Sequence, residues 1–176
     1  MANILITGAS GYLGGTLLAR WKTANLPAHG KLYALVRNDE QARAVTPYGA
    51  EPFICGFDDP QKMRSGIVDR HISIVFFLVD GGNDQKQRPM IAALAEVKKA
   101  TGKEVHFLHT TGAKLFSSHV DINPAEPLLD TDPGLYGVLR GAGAGPDRWA
   151  KVGSILLPFL LLKDLRWNLV TIGTLR

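Results

Sequence analysis

Glycines spaced three residues apart follow an apolar run close to the start of the chain. Residues 4–6 read Ile-Leu-Ile, which predicts a buried β-strand, and Gly8, Gly11 and Gly14 lead from it into a predicted helix over residues 12–24. A strand that turns through glycines into a helix directs unpaired backbone N–H groups and the positive end of the helix dipole at one anion. The spacing is G-x-x-G-x-x-G rather than G-x-G-x-x-G, so the position between strand and helix carries the prediction of a bound dinucleotide.

The whole turn is assigned to the expected cofactor, because glycine lets the backbone approach a ligand without a Cβ in the way. The alternative is a tight strand–helix turn that binds no ligand. The candidate cofactor-binding residues of the turn are Gly8, Ser10, Gly11, Tyr12, Leu13 and Gly14.

Composition is that of one globular domain. The chain has 176 residues, of which 45% are hydrophobic and 20% charged, and its net charge of +4 is not concentrated in a basic stripe, so no nucleic-acid partner is expected. Cys55 is the only cysteine, which excludes an internal disulfide and fits a reducing compartment. The most apolar segment, residues 155–162, contains Pro158 and is too short to cross a membrane. We expect a cytoplasmic protein without a leader peptide or a membrane partner.

Apolar runs and helical patterns alternate along the chain. The expected strands are residues 3–7, 31–36, 51–55, 72–79 and 104–109, and the expected helices are residues 12–24, 40–48, 60–65 and 88–101. This alternation predicts a doubly wound parallel sheet, the Rossmann-like α/β fold. Right-handed crossovers bring the carboxyl ends of the strands to one edge of the sheet, where we expect the ligand.

Charged residues stand at the carboxyl ends of the second and third expected strands. Arg37 lies where this fold meets the adenosine ribose, and an arginine there accommodates a 2′-phosphate, so NADP is expected. Asp39 can instead accept a hydrogen bond from a free 2′-OH, which leaves NAD as the alternative and Arg37 as a solvated loop residue. Asp58 can accept a hydrogen bond from the adenine amino group. Its alternative role is to cap the next helix, although Asp59 stands nearer that cap.

Other residues at this edge are assigned by position. Leu78 and Val79 end the fourth expected strand and Thr110 follows the fifth, so all three are expected at the cofactor. No metal site is expected, because the histidines nearest to each other, at positions 106 and 109, point to opposite faces of one strand. Cys55, inside an expected strand, is interpreted as a small core residue rather than a nucleophile.

Four motifs together resemble the extended and atypical short-chain dehydrogenase/reductase superfamily, including its epimerase/dehydratase-like and NmrA-like members. They are T-G-x-x-G-x-x-G at residues 7–14, L-V-R at 35–37, G-F-D at 56–58 and L-H-T-T-G at 108–112. The glycine motif is specific, and the other three support it. The resemblance covers residues 1–140.

The resemblance implies a catalytic set of a hydroxyl residue, a tyrosine and a lysine, the last two as Tyr-x-x-x-Lys on one helix. Thr111, or Thr110, stands at the hydroxyl position, and Tyr136 lies 25 residues beyond Thr111. Arg140 replaces the lysine on the same helix face, where its charge can stabilise a tyrosinate but cannot relay a proton. Glycines within 141–145 weaken a helix there. The candidate catalytic residues are Thr111, Tyr136 and Arg140, and the alternative is a loop tyrosine beside a surface arginine.

The carboxyl-terminal part departs from the superfamily pattern. Residues 1–140 are expected to form an NAD(P)-binding Rossmann domain, and residues 141–176 a divergent tail that packs on or beside the sheet. Within the tail, residues 155–162 predict one more strand or a short helix, and residues 167–172 another strand. We expect no full substrate domain in these residues, and a truncated or alternatively spliced product and a divergent short protein both fit that expectation.

The sequence is compatible with three functions. The first is an NADP-dependent oxidoreductase or epimerase-like enzyme that transfers hydride to or from a small organic carbonyl or alcohol, with Thr111 polarising the carbonyl and Tyr136 exchanging the proton. The second is a catalytically inactive NADP-binding sensor or regulatory protein of the NmrA-like kind. The third is a non-functional fragment. A small-molecule substrate is expected, and a homodimer is left open.

Overall fold

The computed structural model describes residues 1–80, 85–112 and 166–172, together with residues 129, 132 and 134. At residues 111–112 and 166–172 the backbone alone is described. The strands are β1 Asn3–Ile6, β2 Leu32–Val36, β3 Glu51–Ile54, β4 Ile72–Phe77, β5 His106–Gly112 and β6 Arg166–Ile172. The helices are α1 Tyr12–Trp21, α2 Asp39–Val45, α3 Pro60–Asp69 and α4 Arg88–Thr101, with a 3₁₀ helix at Thr46–Tyr48.

The strands form one six-stranded sheet in the order β3-β2-β1-β4-β5-β6. The first five are parallel, since β1 pairs with β2 and β4, β2 with β3, and β4 with β5. The chain builds outward from β1 in one direction through β2 and β3, and then in the other through β4 and β5. Right-handed crossovers therefore place helices on both faces. The predicted doubly wound parallel sheet is confirmed.

Side chains of the strands alternate between two apolar layers. On one face, Ile4 and Ile6 of β1 pack with alternate residues of β2 against α1 and α2. On the other face, the fully buried ring of Phe77 stacks on that of Phe107, with centroids 5.7 Å apart. All five residues of β2 are buried, which explains the unbroken apolar run in its sequence. The sheet is thus packed on both faces below the loops at its carboxyl edge.

Two helix ends differ from the predicted ones for local backbone reasons. α1 ends at Trp21 rather than at residue 24, because the N–H groups of Thr23 and Ala24 bond carbonyl groups only three residues back. The helix predicted over residues 40–48 is α2 followed by the 3₁₀ helix. Pro47 lies in that 3₁₀ helix and lacks the N–H group that would continue an α-helix.

Two other element boundaries, those of α3 and β5, also differ from the predicted ones. α3 continues through Gly66 to Asp69, beyond the predicted end at residue 65. The Phe53 ring packs on Gly66, where a Cβ would overlap it, so contact with the sheet outweighs the low helix propensity of glycine. β5 begins at His106 rather than at residue 104 and extends to Gly112. Thr110 and Thr111 therefore lie within this strand rather than after it.

Residue contacts divide the chain into two units. The first consists of Met1–Val79, Gln85–His109 and Leu165–Asn168, and the second of Asp80–Asp84, Thr110–Asp164 and Leu169–Arg176. The predicted domain boundary at residue 140 and the segment 155–162 lie outside the described residues. β6 confirms the strand predicted at residues 167–172. Over the described ranges, every helix is too short or too polar to traverse a lipid bilayer.

Candidate functional site

Gly8 begins the turn after β1 in a left-handed backbone conformation, with φ of +63°. A side chain in this conformation is strained, and a Cβ at this position would also stand 3.2 Å from Val79 Cγ2. The N–H group of Gly11 donates to the carbonyl oxygen of Gly8 over 2.9 Å and closes the turn. Glycine at position 8 therefore lets the chain reverse direction beside the end of β4.

Gly14 is buried in the first turn of α1 and packs directly on this glycine turn. A Cβ at position 14 would overlap the carbonyl group of Gly8 and stand 2.9 Å from Cα of Ala9. The helix can approach the end of β1 this closely only with glycine at that point. The neighbouring Gly15 is under no such constraint, because a Cβ there would make an ordinary contact of 3.6 Å with the carbonyl oxygen of Ala9.

The N-terminus of α1 lacks a side-chain cap. Gly11 is the N-cap residue, and the first turn holds no acidic side chain. Ser10, Gly11 and Tyr12 are exposed, Tyr12 to 93%. Because the first N–H groups of an α-helix have no partner within the helix, this ten-residue helix presents hydrogen-bond donors and the positive end of its dipole to an accessible surface. The arrangement is chemically suited to a phosphate or pyrophosphate group.

The ends of β1 and β4 are tied together at the level of the glycine turn. The N–H group of Thr7 donates to the carbonyl oxygen of Phe76 over 2.9 Å, and its side-chain oxygen accepts from the N–H group of Leu78 over 3.0 Å. The strand order reverses between β1 and β4, and this fold binds ligands in the crevice at such a reversal. Leu78 and Val79 lie beside Gly8 at this crevice. Thr7 belongs to the glycine motif singled out from the sequence but was given no role of its own, and the signal for that role is a hydroxyl residue directly before the first glycine.

Arg37 is exposed at the end of β2, one strand away from the glycine turn. Its N–H group donates to the side-chain oxygen of Gln41 over 2.8 Å. The N–H group of Gln41 in turn donates to the side-chain oxygen of Asn38, which caps α2, over 2.9 Å. Asp39 is the first residue of α2 and is exposed. Gln41 was not singled out from the sequence, although Asn-x-x-Gln is a capping-box pattern.

Asp59 caps α3, and its carboxylate accepts from the N–H group of Lys62 over 2.9 Å. The alternative reading of Asp58 as that cap is therefore wrong. Asp58 is exposed, and its carboxylate lies over Gly56, where a Cβ would overlap it. Asp58 thus stands at the carboxyl edge of the sheet without a capping role.

Two further residues follow β3 at this edge. Phe57 is half-buried, and its ring packs edge-on against Phe77 with centroids 6.0 Å apart, while the ammonium of Lys86 stands 5.7 Å from the Phe57 centroid. Phe57 was not assigned a role from the sequence. Cys55 is buried, and this burial raises the pKa of its thiol. The thiol is accordingly protonated at neutral pH, which agrees with the interpretation of Cys55 as a core residue.

The candidate catalytic residues are described only in part. Thr110 lies in β5 and is half-buried, and at Thr111 the backbone alone is described. Tyr136 and Arg140 lie outside the described residues, so their pairing stays a prediction. In the part of the chain that the structure describes, no group of three or more His, Cys, Asp and Glu side chains is placed to hold a metal ion.

A cavity of about 500 Å³ lies at the opposite edge, between the end of α1 and the starts of β2 and β3. Trp21 Nε1 donates to His29 Nε2 over 2.9 Å, so His29 Nδ1 carries the proton and donates to the carbonyl oxygen of Gly30 over 2.8 Å. Lys31 and Glu51 form an ion pair at 2.7 Å. Because these polar groups already bond each other, the carboxyl edge with its open helix N-terminus is the better candidate site.

Solved structures of reductases share this fold. Leucoanthocyanidin reductase from Vitis vinifera, solved in complex with NADPH, is 21% identical with a TM-score of 0.55, over 98% of this chain and 48% of that one. Triphenylmethane reductase from Citrobacter sp., complexed with NADP(H), is 18% identical with a TM-score of 0.55, over 95% of this chain and 48% of that one. An oxidoreductase of the short-chain dehydrogenase/reductase family from Burkholderia thailandensis is 13% identical with a TM-score of 0.63, over 98% of this chain and 69% of that one.

These comparisons confirm the predicted resemblance at the level of the fold alone: the chain shares its fold with these two reductases and with the oxidoreductase of the short-chain dehydrogenase/reductase family. It spans about half the length of the leucoanthocyanidin and triphenylmethane reductases. No protein-family model matches the chain, and a comparison with curated proteins finds no match either.

Proposed function

We propose that this chain binds NADP(H) at the carboxyl edge of its sheet, with the pyrophosphate at the N-terminus of α1. The observation that carries the proposal is the contact of Gly14 with Gly8, which brings the helix start against the end of β1 as no larger residue would allow. The N–H groups in the first turn of α1, which follow Gly11 and have no side-chain cap from it, then lie near the crevice between β1 and β4 and are suited to bind the pyrophosphate. Two structural neighbours with this fold hold NADP(H), which supports the same choice here.

The adenosine half of the cofactor is assigned to the ends of β2 and β3. Arg37 is exposed at the end of β2, where its guanidinium can bond the 2′-phosphate of NADP(H) in two places. NAD is the alternative cofactor, with Asp39 on the ribose hydroxyl groups. At the end of β3, the Asp58 carboxylate is free of capping and can accept from the adenine amino group, and Phe57 offers an apolar edge to the base.

For the chemistry, we propose an oxidoreductase or epimerase-like reaction on a small organic carbonyl or alcohol. The nicotinamide ring supplies or accepts hydride when it is bound. Thr111, with Thr110 as the alternative, is assigned to hydrogen-bond the substrate oxygen, and Tyr136 to exchange its proton. Arg140 is assigned to stabilise the tyrosinate form of Tyr136 through its positive charge.

The second candidate function is NADP(H) binding without turnover, as in a redox sensor or regulatory protein. Arg140 favours it, because an arginine in place of the superfamily's lysine keeps its proton at all accessible pH values and relays none. Both functions require the same cofactor site. They differ in whether bound NADPH is consumed.

The test is calorimetric titration of the folded protein with NADPH and, separately, with NADH. We expect saturable binding of NADPH with a stoichiometry near one, and weaker binding of NADH. Absence of heat with both nucleotides overturns the proposal. Oxidation of NADPH with a panel of aldehydes and ketones then separates the enzyme from the sensor, since the sensor binds the nucleotide and leaves it reduced.

A further inference from the structure

The loop between β2 and α2 is held by two hydrogen bonds that both involve Gln41. Its backbone N–H group donates to the Asn38 side chain over 2.9 Å, which is the usual N-cap bond of a helix. Its side-chain oxygen accepts from the backbone N–H group of Arg37 over 2.8 Å. In the capping box as usually formed, the third helical residue bonds the N–H group of the cap itself. Here the bond reaches one residue further back, to Arg37.

Through this bond Gln41 contacts Arg37, the residue assigned to the cofactor's 2′-phosphate. Arg37 stands just after the last residue of β2, so its N–H group lies at the point where the chain leaves the sheet. Gln41 is half-buried, whereas Arg37 is exposed. Fixing the Arg37 backbone limits the directions that its long side chain can take, and pre-organisation of this kind lowers the entropy cost of binding a ligand.

We propose that Gln41 is a positioning residue that determines the preference for a 2′-phosphorylated cofactor, by fixing Arg37 with an uncharged acceptor. The inference rests on the proposed function and deepens it. Glutamate at position 41 can make the same bond to Arg37 and also suits the first turn of a helix, where a negative charge is favourable. It would, however, place a second anion beside the phosphate. Glutamine keeps the bond and leaves the Arg37 charge available to the phosphate.

The experiment measures dissociation constants of NADPH and NADH by calorimetry for the wild-type protein, Gln41→Ala and Gln41→Glu. Loss of one hydrogen bond in Gln41→Ala is expected to weaken NADPH binding roughly three- to tenfold and to leave NADH binding within about twofold. Gln41→Glu is expected to weaken NADPH binding by at least roughly tenfold while the thermal midpoint is maintained or raised. The control Arg43→Gln makes the same one-unit change in net charge at an exposed position two residues along α2, and should leave the ratio of the two constants unchanged.

The outcomes separate this inference from the proposed function. If the wild-type protein binds neither nucleotide, the proposed function fails and the inference fails with it. If the wild-type protein binds NADPH and Gln41→Ala weakens both nucleotides equally or neither, the inference alone is overturned. Should Gln41→Ala not fold, Gln41→Glu decides, because it retains the acceptor: an unchanged preference for NADPH in that variant overturns the inference.

Discussion

The side-chain oxygen of Thr7 accepts a hydrogen bond of 3.0 Å from the backbone N–H group of Leu78. Thr7 directly follows β1 and Leu78 directly follows β4, so this bond joins the ends of the two strands between which the order of the sheet reverses. It lies directly before the turn at Gly8. The Thr7 side chain therefore links the ends of the two strands beside the proposed cofactor crevice.

Replacement of Thr7 tests this link. Thr7→Val keeps the shape of the buried side chain but leaves the Leu78 N–H group without its acceptor, which is expected to cost about 1–3 kcal/mol of the free energy of unfolding. Thr7→Ser keeps the oxygen and loses one methyl group, at about 1 kcal/mol. Urea denaturation monitored by circular dichroism provides the measurement. A serine variant as unstable as the valine variant would show that packing, not the hydrogen bond, matters at this position.

Gly14 and Gly15 form a matched pair for the glycine turn. Gly14→Ala forces a Cβ into the backbone of Gly8 and Ala9, and is expected to destabilise the protein by about 1–3 kcal/mol and to abolish NADPH binding. Gly15→Ala fits without overlap and should raise the free energy of unfolding by up to about 1 kcal/mol, since alanine is the better helix former. Thermal unfolding and calorimetry with NADPH measure both effects. Equal behaviour of the two variants would contradict the assigned packing.

Tyr136 and Arg140 are tested through turnover. In the proposed enzyme, Tyr136→Phe removes the proton exchanger and should lower kcat roughly 100-fold or more while the affinity for NADPH is kept. Arg140→Lys supplies a group that can relay a proton, and should raise kcat. Steady-state oxidation of NADPH measures kcat for both variants, and calorimetry measures the affinity for NADPH. If the phenylalanine variant retains full turnover, Tyr136 is not the catalytic residue.

Cys55 is expected to resist thiol reagents in the folded protein. Its burial raises the pKa of the thiol above the ordinary range, and the reactive thiolate is scarce in the native state. The sign for stability follows from linkage: the unfolded chain loses the proton at a lower pH than the folded one, so stability is full below the ordinary thiol pKa and falls as the pH rises through it. Labelling with a disulfide reagent at pH 8, with and without urea, checks the first point. Rapid labelling of the native protein would contradict it.

The pH dependence of the free energy of unfolding is tested with a control variant that lacks the thiol. Cys55→Ala removes the ionisable group, so its free energy of unfolding should decline less between pH 7.5 and pH 10 than that of the wild-type protein, on the scale set by the unperturbed thiol pKa near 8.5. Parallel decline of the two proteins would show that other groups dominate in this range.

Features that depend on neighbours in sequence were predictable. The alternation of apolar runs with helical periodicity gave the five parallel strands, and α4 has the bounds read from its pattern, because its apolar face and Gly102 at its end are both local signals. Asp59 was recognised as the residue nearest the α3 cap for the same reason. The continuation of α3 through Gly66 was not predictable, since it depends on contact with the Phe53 ring of β3.

The features of the candidate site also divide into those that local sequence predicts and those that depend on tertiary contacts. The glycine spacing and the apolar strand before it predicted by themselves the glycine turn that leads from β1 into α1, because backbone conformation and helix dipole are properties of a short segment. Only the tertiary structure decided that Thr7 ties this turn to Leu78, that Gly14 rather than Gly15 carries the contact with the turn, and that Gln41 holds Arg37. Those contacts depend on which atoms the folded sheet and its helices bring within a few ångströms of each other. The order of residues along the chain does not contain these interatomic distances.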